Sequence, residues 1–290
     1  MRLGRHMPLH SNAVKAVEIA RGIGCDAIQI FASNPTGWRP PAGNGESCAA
    51  FARAALEFDM QPVVIHAPYL INLASPDEFI WEKSIGLLQW TLQRGALLGA
   101  SYVVFHTGSH RGSGVDAGIA RIAGAIARIL PETPPQVMLL LENDVGAGNS
   151  LGHSFAQLGA ALDLLPANRE RLGVCIDTAH LWGAGHDIST ASAAQQVLQE
   201  IDRRIGLERL RVIHLNDTEK LPGSHRDVHA RIGEGIIPEE GLCALLRDPR
   251  IQHAAVILET PIKTDEQDKE DWQHDKEQIA RARALMTPDL

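Results

Sequence analysis

Six short apolar stretches of the sequence each end in a side chain that can bind a metal ion. The terminal residues, in chain order, are His66, His106, Glu142, Asp177, His214 and Glu259. Imidazole and carboxylate together are the ligands that zinc, manganese and iron favour. A single histidine or acid at such a place is usually a core residue or a helix cap. Six in succession at equivalent places instead indicate a shared metal site.

Two local motifs add further candidate ligands. His180 follows Asp177 by three residues, where the chain leaves an apolar stretch and enters a loop. Asp227 and His229 are separated by one residue in a glycine-flanked loop, and in extended backbone such residues point the same way. The candidate ligands then number nine. Carboxylates gathered at this density would repel one another unless cations neutralised them.

Apolar stretches alternating with amphipathic segments must position these side chains. Strands are predicted at residues 2–4, 27–31, 62–65, 102–105, 137–141, 174–176, 210–213 and 255–258. Helices are predicted at 84–98, 116–130 and 191–205, with a final helix within 263–290. Strands apolar on both faces are typical of a parallel sheet covered by helices.

About eight repeats of strand and helix in one chain predict a single (β/α)8 TIM barrel that spans residues 1–290. In such a barrel the carboxyl ends of all strands lie at one rim, where active sites are built. The candidate ligands would therefore converge there. A doubly wound open sheet is the alternative fold, although the sequence contains no glycine-rich phosphate-binding fingerprint to support it.

Composition limits the class of protein. The 290 residues are 44% hydrophobic and 21% charged, which is typical of a soluble globular protein. No signal peptide and no apolar stretch of membrane-spanning length is present, so we expect a cytoplasmic protein without a membrane partner. The four cysteines are widely spaced and are assigned no role. The net charge of −8 argues only weakly against nucleic acid, because it omits bound cations.

The motifs around the candidate ligands resemble the endonuclease IV family. The matching segments are HAPYLIN at 66–72, FHTGSH at 105–110, LEN at 141–143, GVCIDTAH at 173–180, HLND at 214–217, GSHRDVH at 223–229, IGEG at 232–235 and ILET at 257–260. They occur in the family's order and spacing and span nearly the whole chain. All nine ligand positions of the family are filled by suitable residue types.

The resemblance implies an apurinic/apyrimidinic endonuclease of base excision DNA repair, a hydrolase of the deoxyribonuclease IV (phage-T4-induced) type. Its partner would be damaged double-stranded DNA with an abasic site. Cleavage on the 5′ side of that site would leave a 3′-hydroxyl, and the same enzyme would clean blocked 3′ ends as a phosphodiesterase. The resemblance also implies a monomer.

The resemblance further implies a cluster of three Zn²⁺ ions, with Mn²⁺ or Fe at some sites. By position its ligand groups are His66, His106 and Glu142; Glu142, Asp177, His214 and Glu259; and His180, Asp227 and His229. Four carboxylates against three divalent cations leave a charge of about +2, which suits a phosphate substrate. Glu142 is the candidate catalytic residue, orienting a water that the metals activate.

Candidate DNA contacts come from two segments. The segment NPTGW at 34–38 matches the family's DNA-recognition loop, with Asn34 and Trp38 as candidate contacts, although Trp38 could equally be a packing aromatic. Tyr69 matches a residue near the abasic pocket. Arg39 and Arg226 are basic residues that could contact phosphates.

The sequence departs from the family at several positions. Thr36 and Gly37 stand where a long polar or basic side chain is common, and such a chain can wedge into the duplex. Val228 replaces a common arginine, and Thr107 replaces a usual proline. We expect these differences to affect DNA affinity or substrate choice more than metal binding.

Two alternative functions remain open at this point. A sugar isomerase or epimerase on a related barrel would use a single metal held by Glu142, Asp177, His214 and Glu259. The remaining candidate ligands would be surplus to that chemistry, so the count of bound metals separates the two functions. A DNA-binding relative that no longer cuts efficiently is the other alternative, and the altered loop at Thr36 and Gly37 is its support.

Overall fold

Eight parallel strands close into a barrel in chain order. The computed structural model describes residues 1–8, 13–41, 45–262, 264 and 272–287. The strands are β1 (Arg2–His6), β2 (Ala27–Phe31), β3 (Val63–His66), β4 (Tyr102–His106), β5 (Met138–Glu142), β6 (Leu172–Asp177), β7 (Leu210–His214) and β8 (Ala255–Leu258). β8 pairs with β1, and the register sets Ala255 opposite Arg2. The TIM barrel is thereby confirmed, and the open doubly wound sheet is wrong.

Helices follow the strands around the barrel. They are α1 (Ala13–Gly22), α2 (Gly45–Glu57), α3 (Glu78–Leu97), α4 (Val115–Ile129), α5 (Phe155–Asp163), α6 (Thr178–Ala184), α7 (Ala191–Arg204), α8 (Glu239–Leu246) and α9 (Trp272–Met286). α3 begins six residues before the predicted start, because the Asp77 carboxylate caps its first turn by accepting from the amides of Phe79 and Ile80. The predicted final helix is α9, and the rest of 263–290 lies largely outside the described residues.

Several strands extend one residue beyond the predicted apolar stretches. His66, His106, Glu142, Asp177 and His214 belong to the ends of their strands, where the pairing continues past the apolar residues. Backbone pairing does not depend on side-chain polarity, whereas the sequence pattern does. The strand ends therefore hold these side chains in rigid extended backbone.

A layer of small and branched side chains fills the interior of the barrel. Its members are Ala27, Val64, Val104, Leu140, Cys175, Val212 and Ile257, all fully buried. β1 contributes Gly4, which pairs with Ala27 and Ile257. A Cβ at Gly4 would lie 2.2 Å from the Ala27 carbonyl oxygen, so only glycine fits this close approach. This layer forms the floor beneath the candidate site.

A buried ion pair joins the first strand to the last helix. Nη2 of Arg5 lies 3.0 Å from Oδ1 of Asp275 in α9, and each side chain is 1% exposed. The Arg5 guanidinium also donates to the hydroxyl and carbonyl oxygens of Thr260. Burying either charge alone would carry a large desolvation cost. The contact between the two charges offsets that cost. α9 is thus fixed to the closing edge of the barrel.

Candidate metal centre

Every strand of the barrel contributes one polar side chain to a layer above the interior floor. These side chains belong to His6, Gln29, His66, His106, Glu142, Asp177, His214 and Glu259. Each stands two residues after Gly4 or a member of the floor layer, and residues i and i+2 of a strand face the same side. The six predicted strand-end residues therefore converge as expected. His6 and Gln29 complete the ring.

Glu142 lies at the centre of this ring. Its Oε2 is 3.2 Å from Nε2 of His66 and 3.4 Å from Nε2 of His106. Its Oε1 is 2.8 Å from Nδ1 of His214, and that nitrogen is 3.1 Å from Oε2 of Glu259. The carboxylate of Glu142 is fully buried. One carboxylate that faces histidines on both oxygens is placed to bridge two cations.

A second cluster lies beside the first and is built by two loops. Nε2 of His180 and Nε2 of His229 each lie 3.2 Å from Oδ1 of Asp227. Nε2 of His229 is also 3.6 Å from Oδ2 of Asp177. Asp177 caps α6 by accepting from the amide of His180, which fixes both residues at the start of that helix. The structure therefore brings all nine predicted ligands together.

The ligating atoms fall into groups small enough for single ions. In three of these groups, all ligand atoms lie within 4.8 Å of one another, and the members are His66, His106 and Glu142; Glu142, Asp177, His214 and Glu259; and Asp177, His180 and His229. The predicted third group paired His180 and His229 with Asp227 rather than Asp177. Both carboxylates border that group, since Asp227 lies 3.2 Å from each imidazole.

The imidazole rings present one nitrogen to the cluster and use the other to anchor the ring. Nδ1 of His66 lies 2.8 Å from the carbonyl oxygen of Ala67, and Nδ1 of His180 lies 2.8 Å from that of Asn143. A carbonyl only accepts, so each Nδ1 carries a proton, and each Nε2 offers its lone pair to a cation once any proton on it is released. Nε2 of His180 and Nε2 of His229 are buried with no hydrogen-bond partner among the described residues. The donor set fits divalent cations.

Gln29 is a site residue that sequence reasoning missed. Its Oε1 lies 2.8 Å from Nε2 of His214, and its Nε2 lies 2.5 Å from Oε1 of Glu259. The amide thus fixes the tautomer of one candidate ligand and the orientation of another. Gln29 was hidden inside the apolar stretch AIQIF. The available signal was a polar residue at the middle of an otherwise apolar predicted strand.

Two asparagines that follow the ligands in sequence tie neighbouring strand ends together. Oδ1 of Asn143 accepts from the amide of Asp177 at 2.6 Å, and its Nδ2 donates to the carbonyl of the same residue. Nδ2 of Asn216 donates to Oδ2 of Asp177 at 2.6 Å, and its Oδ1 accepts from the amide of Glu259. These bonds hold adjacent ligands at fixed separation.

Electrostatics in the cluster couple its carboxylates to its histidines. Burial raises the pKa of Glu142, but His214 and His106 outweigh it and hold that pKa well below its usual range. Burial lowers the pKa of His229, but Asp177 and Asp227 outweigh it and raise that pKa to about 9. The pKa of His180 is likewise raised well above its usual value by Asp177 and Asp227, against burial. Without cations, protons on histidine balance the carboxylates, so metal binding must release protons.

Cys175 lies directly beneath the cluster, in the floor layer. Burial raises the pKa of its thiol to about 12. In the metal-free chain a thiol of this kind is not available as a nucleophile near neutral pH.

Tyr69 is the predicted DNA-contacting residue that stands nearest the cluster. Its ring centroid lies 5.5 Å from that of His66 and 5.9 Å from that of His106, while 56% of the residue is exposed. The amide of Tyr69 donates to the carbonyl of Pro35, which joins two rim loops. An aromatic face is therefore open to solvent beside the ligands.

The other predicted DNA contacts lie farther out on the rim. Oδ1 of Asn34 accepts from the amide and hydroxyl of Thr36, so this side chain shapes its own turn. Trp38 packs against the core, and the ammonium group of Lys83 lies 5.7 Å from its ring. Arg39 and Arg226 are exposed. Trp38 therefore packs at the rim, and Arg39 and Arg226 are open to solvent. All three stay predictions as DNA contacts.

Comparison with known proteins gives consistent matches over the chain. The model of the family described as xylose isomerase-like TIM barrel matches residues 17–284. A protein of Natranaerobius thermophilus named probable endonuclease 4 is 42% identical over 281 residues, which cover 97% of this chain and 99% of that protein. A protein of the same name from Methanoculleus marisnigri is 43% identical over 261 residues, 90% of this chain and 92% of that protein.

Solved structures give the same result. Endonuclease IV from Thermus thermophilus superposes with a TM-score of 0.83 and 35% identity, covering 99% of each chain. A D-psicose 3-epimerase from Clostridium cellulolyticum superposes with a TM-score of 0.74 at 14% identity, covering 99% of this chain and 100% of that one. The likeness to the epimerase extends to the fold alone. In the described part of the chain, no helix combines the length and apolar character that crossing a membrane requires.

Proposed function

Because this chain belongs to the endonuclease IV family, we propose that it hydrolyses the phosphodiester on the 5′ side of abasic sites in damaged double-stranded DNA. The product carries a 3′-hydroxyl, and blocked 3′ ends are cleaned by the same site. The observation that carries the proposal is the gathering of nine histidine and carboxylate ligands at one rim of the barrel. This protein acts in base excision DNA repair.

The metal content that this donor set fits is three divalent cations. Zinc accepts imidazole and carboxylate ligands, and manganese or iron accepts them at some of the sites. The groups would be His66 with His106, Asp177 with His214 and Glu259, and His180 with Asp227 and His229. Glu142 is placed to belong to the first two groups, since its two oxygens face different histidines.

Bound divalent cations would lower the pKa of a water and neutralise charge on the phosphate and on the leaving oxygen. Glu142 would orient the attacking water, because its carboxylate is the group that lies between the histidines of both sides. Gln29 and Asn216 keep the neighbouring ligands fixed, so little reorganisation accompanies the reaction. The deep position of Glu142 excludes bulk water from this step.

The rim also suits duplex DNA in which the abasic nucleotide is extruded from the double helix. The ligands lie in the bowl of the barrel, and Glu142 is 1% exposed, so a phosphate within regular duplex could not approach them. An abasic nucleotide stacks weakly and is extruded at lower cost than an intact one. Tyr69, exposed beside His66, is placed to contact the distorted strand. Asn34, Trp38, Arg39 and Arg226 are the further proposed contacts.

A single-metal sugar isomerase or epimerase is disfavoured. That chemistry would engage Glu142, Asp177, His214 and Glu259, which form one compact group. It would leave His66, His106, His180 and the pair Asp227 and His229 without a role, although several of them are buried with a ligating nitrogen facing the cluster. The epimerases that share the fold have low identity to this chain. We further propose that the enzyme is a cytoplasmic monomer.

The test is incision of a duplex oligonucleotide that carries one stable abasic analogue, with metal content measured on the same preparation. We expect cutting on the 5′ side of the lesion, lost after chelation and in Glu142→Gln. Glu132→Gln, at an exposed position outside the site, is the matched control. No cutting with one bound metal would support the sugar isomerase. No cutting with about three metals would support the DNA-binding relative with the altered loop at Thr36 and Gly37.

A further inference from the structure

Asp217 is a buried carboxylate outside the ligand set, and its hydrogen bonds set it apart. It is 1% exposed and follows His214 in the loop between β7 and α8. Its Oδ1 accepts from the amides of Thr218 at 2.8 Å and Ile237 at 3.0 Å. Its Oδ2 accepts from the amides of Gly233 at 3.0 Å and Gly235 at 3.1 Å. Two oxygens thus receive four backbone N–H groups.

These four bonds close the base of a long loop. The β7–α8 loop, residues 215–238, leaves the barrel at its start and returns at 233–237, where three of the four donors lie. The amide of Ala230 also donates to the carbonyl oxygen of Asp217 at 2.7 Å. Residues 219–231 between these points are mostly exposed. Asp217 closes the base of this loop, while the bonds from the amides of Gly223 and His225 to α6 and from the amide of Ile232 to Gln278 hold other parts of it.

The β7–α8 loop carries two candidate ligands. Asp227 and His229 reach the cluster from its outer part, whereas His180 and Asp177 are fixed by β6 and α6. A strand end is held by its neighbours in the sheet, whereas Asp227 lies in the loop, whose preceding segment donates from the amides of Gly223 and His225 to carbonyls of α6. Its side chain is about half exposed. The position of this carboxylate relative to His180 follows from how the loop is closed.

Charge and shape make aspartate hard to replace at position 217. An asparagine would present an N–H₂ group to two of the backbone N–H donors, where only an acceptor can satisfy them. A Cβ on Gly235 would lie 2.3 Å from Oδ1 of Asp217, so the backbone approaches the carboxylate closely. Buried N–H groups left without an acceptor would drive the loop to open towards water.

We propose that Asp217 is a positioning residue for the metal group formed by His180, Asp227 and His229. It acts by closing the β7–α8 loop and touches neither metal nor substrate. This inference rests on the metal assignment proposed above. Partners that orient a ligand change metal affinity by about 10- to 100-fold. We expect Asp217→Asn to weaken one zinc site by that factor and to leave the sites around Glu142 unchanged.

The experiment measures zinc per chain after dialysis against buffers of fixed free zinc, for the parent and for Asp217→Asn. His229→Ala, which removes a ligand from the same group, gives the reference for loss of that site. Asp248→Asn is the matched control, because Asp248 is also buried and caps a turn ahead of β8 at the opposite end of the barrel. Incision of abasic duplex is measured at each zinc concentration, and trypsin cleavage after Lys220 and Arg226 reports opening of the loop.

We expect Asp217→Asn to lose one zinc where the parent retains it, to be cleaved faster in the loop, and to regain zinc and incision when free zinc is raised about 100-fold. His229→Ala should not be rescued in this way, and Asp248→Asn should keep the parent's zinc. Zinc affinity of Asp217→Asn within about twofold of the parent would overturn the inference.

Misfolding and failure of the proposed function give different results. If Asp217→Asn loses its circular dichroism signal, Gly235→Ala provides the second variant, because its added methyl group would press on the same carboxylate and on the carbonyl oxygen of Thr218. Equal zinc affinity in that folded variant and the parent would then overturn the inference. A parent chain that neither cuts abasic DNA nor holds more than one zinc would instead refute the proposed function.

Discussion

Replacing Gln29 by leucine tests whether this buried amide sets the metal affinity of the cluster. Leucine has a similar size and no polar atoms, so the change removes hydrogen bonds with little change in volume. The bonds lost are the one from Nε2 of His214 at 2.8 Å, the one to Oε1 of Glu259 at 2.5 Å and the one between Nε2 of Gln29 and Nδ1 of His6 at 2.9 Å. Gln29 is fully buried, so water cannot replace its amide.

The magnitude follows from what each state of the cluster requires. When Nδ1 of His214 binds a cation, Nε2 must carry the proton, and Leu at position 29 leaves that buried N–H without an acceptor. Such a group costs about 1–3 kcal/mol. In the metal-free chain the imidazole can give up the proton on Nε2 and keep the one on Nδ1, which already faces Glu142, so most of the cost falls on the loaded state. At 1.4 kcal/mol per tenfold, zinc affinity should fall by about 5- to 150-fold.

The assay is competition for zinc with a chromophoric chelator, combined with thermal melting of the loaded and metal-free chains. Gln252→Leu is the matched control, because Gln252 donates to the carbonyls of Leu246 and Asp248 away from the cluster. We expect Gln29→Leu to lower zinc affinity and the melting temperature of the loaded chain, and Gln252→Leu to leave zinc affinity unchanged. Zinc affinity within about twofold of the parent in Gln29→Leu would refute the reasoning.

Three further predictions concern the same site. Glu142→Gln should reduce incision by more than about 100-fold, since it removes a shared ligand rather than a supporting partner, and single-turnover cleavage measures this loss. Metal-free protein should lose stability as the pH rises from about 6.5 to 9. The pKa of His229 is about 9 in the folded chain and 6.5 in the unfolded chain. Protonation of His229 therefore stabilises the fold fully below pH 6.5, and this stabilisation is lost as the pH rises through 9. A flat melting temperature across that range would contradict this, and zinc-loaded protein is the control. Tyr69→Ala should raise KM for abasic duplex by about tenfold with a smaller change in kcat, as expected for a lost aromatic contact, and an unchanged KM would exclude that contact.

The sequence pattern predicted the barrel and the six strand-end ligands because both depend on the local order of apolar and polar residues. Apolar stretches mark the strands, and the polar residue that follows each one is visible without the structure. The same two-residue period would have identified His6 and Gln29, but β1 is weakly apolar and Gln29 lies within its strand. Reading polarity only at the ends of apolar stretches therefore omitted these two residues, although both strands were predicted.

The support of the ligands was harder to predict, because it depends on tertiary contacts between distant segments. Asp217 accepts hydrogen bonds from amides 16 to 20 residues later in the chain, which the course of the loop brings back to it. Asn216 forms hydrogen bonds with Asp177 and Glu259, which lie at the ends of the two neighbouring strands. Aspartate and asparagine after a strand are common turn residues, so their type alone does not distinguish them. Residue type likewise does not distinguish a DNA-contacting arginine from a solvated one, so Arg39 and Arg226 stay predictions as DNA contacts.

The buried contacts of Arg5 have a consequence for how the protein is made. Arg5 bonds to Thr260, 255 positions away, and to Asp275 beyond it, while β1 pairs with β8. Because synthesis runs from the amino end, β1 is made before β8 and α9, and one edge of β1 stays unpaired until they have been made. Contacts of such sequence separation form late and slowly. Until then the sheet has an unpaired β1 edge and Arg5 lacks its contact with Asp275, and unpaired strand edges are sites at which incompletely folded chains aggregate.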